Sequence, residues 1–139
     1  MNKIESLGNE AIKKSIVQWE AMLRQVDEQK FIESLASPEN ACTLNLKFAY
    51  ILNLKRDYCR KNKKFLCNDC FLCEVSLEVS LEDKILNCDL CPAKAIIGSY
   101  SKYKCRIKEY WDCLYSETFE ELKINMQKFI DRLKTLLTN

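Results

Sequence analysis

From Asn9 onward, apolar residues return at three- and four-residue steps: Ile12, Ile16, Trp19, Leu23 and Val26, with Lys13, Lys14, Gln18, Glu20 and Gln25 between them. That repeat predicts an α-helix of about five turns with one buried face, on which Trp19 is a core residue by default. Phe31, Ile32 and Leu35 continue the pattern up to Ser37-Pro38-Glu39-Asn40. Proline pushes the residue before it out of the α region, so helix is expected to end near Ala36. Residues 43–58 carry Leu44, Leu46, Phe48, Ala49, Ile51, Leu52, Leu54 and Tyr58. The length and the Ala and Leu content of this stretch predict a largely buried helix rather than a strand. Near the other end, Thr118 and Glu121 have the spacing of a capping box, ahead of Phe119, Leu122, Met126, Phe129, Ile130, Leu133, Leu136 and Leu137 at helical steps. This final helix is expected to pair with the first. An apolar stripe of that length could equally join two copies in a homodimer, and the pattern alone does not separate the two uses.

The middle of the chain has a different rhythm. Val75, Leu77, Val79 and Leu81 alternate with Glu74, Ser76, Glu78, Ser80 and Glu82, which is the period of a strand. Asp83-Lys84 could turn the chain and Ile85-Leu86 return it, making a short β-hairpin; the Glu, Leu and Lys content supports a helix as the competing reading. Pro92 to Ile97 fits one or two helical turns that Gly98 ends. Only two glycines and two prolines punctuate 139 residues, which favours helices. The expected fold is therefore mainly α and a single domain over 1–139. Its helical parts, 1–60 and 116–139, surround a Cys-rich insert at 67–105.

That insert carries the chemistry. It reads Cys67-Asn68-Asp69-Cys70-Phe71-Leu72-Cys73, then fourteen residues, then Cys88-Asp89-Leu90-Cys91-Pro92. Two cysteines separated by two residues turn both sulfurs toward one point, so two such turns supply the four thiolates of a tetrahedral zinc site. Cys70, Cys73, Cys88 and Cys91 are the expected ligands; Cys67 can replace Cys73, and Cys105 is the reserve. Iron–sulfur ligation and disulfide pairing are the competing uses. Cys42, Cys59 and Cys113 stand alone, and burial as small apolar side chains is their default. A closed four-thiolate zinc is structural, because it keeps no open position for water or substrate. The chain has nine cysteines and no histidine, which removes the Ser-His-Asp and Cys-His catalytic arrangements. No enzyme is expected; a thiol-disulfide redox protein is the last alternative, and it lacks the βαβ context such proteins use.

The net charge of +2 hides a strong segregation. Residues 41–66 hold seven Lys/Arg against one acid, residues 67–92 one against six, and residues 93–115 five against two. The basic runs flanking the acidic insert contain Lys55, Arg56, Arg60, Lys61, Lys63 and Lys64 on one side and Lys102, Lys104 and Arg106 on the other. Clustered cations with interleaved aromatics suit nucleic-acid backbones; the plainer reading is a solvated loop that aids solubility. Packing is the expected use of Trp111. No window approaches the eighteen or so uncharged apolar residues of a membrane span, and Met1-Asn2-Lys3-Ile4-Glu5-Ser6 lacks the layout of a signal peptide. A cytoplasmic protein that makes no membrane contact is expected.

Trp19-Glu20, the Cys70/Cys73 pair, Cys88/Cys91-Pro92, Cys105 and Tyr110-Trp111 follow one another in an order that resembles a loosely defined group of small cysteine-rich phage and prophage proteins. The chain departs from their pattern in Asn40-Ala41-Cys42-Thr43-Leu44-Asn45, where Asn45 stands in place of a second cysteine. The resemblance implies a mobile-element origin and a small non-enzymatic protein acting in the host cytoplasm. Its expected role is to bind and block a host protein or nucleoprotein complex, as an inhibitor of a host defence does. A DNA- or RNA-binding regulator with a structural zinc is the alternative.

Overall fold

The computed structural model describes residues 3–36, 46–66, 70–72 and 107–137. Regular structure in these residues is helical: α1 (Lys3–Gln25), α2 (Glu28–Ala36), α3 (Leu46–Lys61), α4 (Lys108–Leu114) and α5 (Phe119–Lys134). The mainly α expectation is met. Residues 75–86, with the expected hairpin, lie outside the described residues, as does most of the Cys-rich insert.

The apolar pattern that ran from Asn9 to Ala36 belongs to two helices and not one. Asp27 divides them: its Oδ1 accepts from the Lys30 N–H at 2.9 Å and its carbonyl from the Phe31 N–H at 3.0 Å, which makes it the N-cap of α2. Tyr50 of α3 holds the break from the other side. Its hydroxyl accepts from the Asp27 N–H at 2.9 Å and donates to the Asp27 carbonyl at 3.4 Å. Phe31 meets the Tyr50 ring edge-on at 5.6 Å, so α2 folds back onto α3.

The stripe on α5 is buried against α1 and α4 within one chain. Leu122, Met126, Ile130 and Leu133 are almost completely enclosed, and so are Met22 of α1 and Ile51 of α3. Trp19 is the centre of this core, packed edge-on against Phe129 at 4.6 Å and against Tyr110 at 5.8 Å. Each such aromatic pair adds about 0.5–1.5 kcal/mol beyond the area it removes from water. On the outside, Lys134 pairs with Glu20 at 3.7 Å and Arg132 with Glu109 at 3.5 Å, contacts that fix register more than stability.

Helix α4 was not marked by the sequence pattern. It is short, and it is tied to α5 by polar contacts. Ser116, buried just past its end, donates through Oγ to the Asp112 carbonyl at 2.9 Å, and Asn125 of α5 donates to both that carbonyl (3.2 Å) and Ser116 Oγ (3.0 Å). The expected cap at Thr118 is present, with its Oγ1 accepting from the Glu121 N–H at 3.1 Å. The Glu121 carboxylate reaches back to the Glu117 N–H at 3.4 Å, one residue earlier than a capping box would place it.

Candidate functional site

Helix α3 presents two faces with different contents. Tyr50, Ile51, Leu54, Lys55, Tyr58 and Cys59 follow the one-and-four rhythm of the buried side. Arg56, Asp57, Arg60 and Lys61 follow the same rhythm on the exposed side. The helix runs to Lys61, one residue past the expected helical part, and carries Lys55, Arg56, Arg60 and Lys61 of the basic run on it.

The end of α3 is closed by a Schellman turn. The Lys63 N–H donates to the Arg60 carbonyl at 3.2 Å and the Lys64 N–H to the Cys59 carbonyl at 2.8 Å. Lys63 sits at φ 54°, a left-handed position usually given to glycine. Asn62 fastens the turn by donating through Nδ2 to the Tyr58 carbonyl at 2.8 Å. A side chain with a Cβ is kept where it costs about 1–2 kcal/mol, and the cation it carries is exposed.

Five of the six cations expected here are at the surface: Arg56, Arg60, Lys61, Lys63 and Lys64. Among the described residues no ion pair engages any of the five, whereas Lys13, Lys108, Lys123, Arg132 and Lys134 are each held by a carboxylate. Lys55 is the exception and corrects the expectation. It is only 5% exposed, its Nζ donates to Tyr110 Oη at 2.8 Å, and the same nitrogen lies 4.8 Å from the centre of the Tyr110 ring. Its position on the core face of α3 turns it toward α4, so it joins two helices instead of offering its charge to a partner.

The aromatic expected to interleave with the cations is also differently placed. Tyr58 packs partly against the core, and burial pushes its phenol above the ordinary value of 10.0. The exposed ring in the described part of this basic run is Phe65, directly after Lys64, with 95% of its surface open. Among the described residues the next most open large apolar side chain, Val17, reaches 55%. Sequence reasoning passed over Phe65. The available signal was an aromatic residue placed immediately beyond a cationic helix end.

Of the proposed zinc ligands, Cys70 is described: it is half-buried and packs against the core beside the buried Phe71 and Leu72. The Lys14 ammonium stands 6.0 Å from the Phe71 ring, which seats this turn on α1. Cys67, Cys73, Cys88, Cys91 and Cys105 lie outside the described residues, as do Cys42, Lys102, Lys104 and Arg106. Among the described residues no group of three or more Cys, Asp or Glu is arranged to hold a metal ion. Cys59 and Cys113 are buried, as their isolation suggested. Burial, with Asp112 and Glu109 adding to it, pushes the Cys113 thiol well above its ordinary value of 9.0, so it stays protonated and is a poor nucleophile.

No protein-family model matches the chain, and neither a curated protein nor a solved structure matches it. No helix among the described residues is long and apolar enough to cross a membrane.

Proposed function

We propose that this chain is a non-enzymatic binding protein that engages a nucleic-acid backbone, bare or displayed by a nucleoprotein complex, through the end of α3 and the turn that follows. The observation that carries this reading is the cluster of Arg56, Arg60, Lys61, Lys63 and Lys64, exposed and outside any ion pair among the described residues. Cations left in water gain little from one another, and their mutual repulsion is relieved when phosphates replace their counterions. Lys102, Lys104 and Arg106, beyond the insert in sequence, are further candidate cations for the same partner. The resemblance to small phage proteins makes a host nucleoprotein complex, captured and blocked, the natural setting for such a surface.

The CxxC spacing supports a structural zinc drawn from Cys70, Cys73, Cys88 and Cys91. Elemental analysis tests this part separately. About one zinc per chain, with thiols that react only after chelation, is the expected result, and iron or paired thiols would overturn it.

The binding reading is tested by fluorescence anisotropy with a labelled oligonucleotide, titrated at several salt concentrations between about 50 and 200 mM. Reversing charge at Lys61→Glu, Lys63→Glu and Lys64→Glu together should weaken binding and flatten the dependence of log affinity on log salt by about two to three, at roughly 0.7–0.9 for each phosphate no longer neutralised. An unchanged affinity and slope would rule this surface out as the place where nucleic acid binds.

A further inference from the structure

We infer that the α3 surface takes single-stranded rather than duplex nucleic acid, with Phe65 as the platform for an unpaired base; this rests on the nucleic-acid reading above. Phe65 is 95% exposed and follows Lys63 and Lys64 without interruption. The segment that carries it is not a loose tail at its start, because the Schellman bonds from Lys63 and Lys64 to the last turn of α3 set the direction in which the chain leaves the helix. The ring therefore leaves the helix end directly after Lys63 and Lys64, in the same turn as the exposed cations whose charge would draw the phosphates of a bound strand.

The geometry of the partner decides between the two forms of nucleic acid. In a duplex the base faces are covered by their neighbours, and a flat ring at a cationic surface meets only phosphates, sugars and groove edges. In a single strand each base has an open face, and an exposed aromatic beside cations is the arrangement that stacks on it. Sequence preference is expected to be weak, since every base offers such a face. Tyr58 cannot serve in the same way, because its ring packs partly against the core.

The test uses the full chain with two labelled probes of about 20 nucleotides, an oligothymidine strand and a mixed-sequence duplex of equal length, both longer than a single-strand site of roughly 4–16 nucleotides. Single-strand binding should be at least about tenfold tighter at moderate salt, the equivalent of one stacked base. Phe65→Ala should lose about that factor for the single strand while leaving duplex affinity and the salt slope unchanged, and Phe65→Trp should restore it with indole emission quenched on binding. Because the ring is so exposed, Phe65→Ala should melt at the temperature of the parent protein, which separates lost stacking from lost folding. Equal binding of both probes, untouched by Phe65→Ala, would overturn the single-strand inference and leave the backbone reading standing. A loss in Phe65→Ala shared equally by both probes would also overturn it. Failure to bind either probe would overturn both readings.

Discussion

A single residue, Asp27, turns one long apolar pattern into two helices. Its carboxylate caps α2, and its backbone is gripped by the Tyr50 hydroxyl, 23 positions away in sequence. Replacing Asp27 with Ala should cost about 1 kcal/mol, and Tyr50→Phe about 0.5–1.5 kcal/mol, in urea titrations followed by circular dichroism. The double variant should lose less than the sum, because the two side chains secure the same break. The capping preference of Asp27 was legible in the sequence; the apolar spacing that continues across it was the stronger local signal. Tyr50 was not legible, since nothing near Asp27 in the chain announces a hydroxyl from α3. Burial raises the Tyr50 and Tyr58 phenols above 10.0 and the Cys113 thiol above 9.0. A group whose folded pKa is raised contributes stability that is complete below its unfolded value and is lost as pH climbs toward the folded one. Stability should therefore fall from about pH 9 upward, first through Cys113 and then through the tyrosines. Tyr50→Phe, although weaker at neutral pH, should lose less stability above about pH 10 than the parent protein does.

At the scale of elements, the helical periods of α1 and α5 were readable because each buries one continuous face, whereas α3 was legible only through its length and its Ala and Leu content. Phe129 and Ile124 on α5 make the distinction measurable: the first is buried against Trp19, the second 53% exposed. Phe129→Ala should destabilise by about 3–5 kcal/mol, and Ile124→Ala should fall within about 0.5 kcal/mol of the parent. A large loss at Ile124 would mean that the outer side of α5 is covered by something other than this chain. Helix α4 escaped the reading because it is one short stretch of seven residues, too few for a periodic signal, and because its closure depends on Asn125 and Ser116 meeting across the turn.

At the scale of the whole molecule, one basic run is divided between two tasks. Lys55 bridges α3 to Tyr110 of α4, and the five cations after it face water. Lys55→Ala should therefore lower stability, by about 1.5–3 kcal/mol for a lost hydrogen bond to a charged group, while leaving the salt slope of oligonucleotide binding unchanged. A flattened slope in that variant would return Lys55 to the proposed binding surface. The sequence by itself determined that the chain would be mainly helical, which faces of α1 and α5 would be buried, and where positive charge would gather. These follow from local spacing and composition, which act over a few residues. Only the tertiary structure decided that the first apolar run breaks at Asp27, that the α5 stripe is buried within its own chain, that Lys55 points inward, and that Phe65 and not Tyr58 is the open ring. Each of those outcomes depends on which distant helix covers a given side chain, and that is a property of packing rather than of any stretch of sequence.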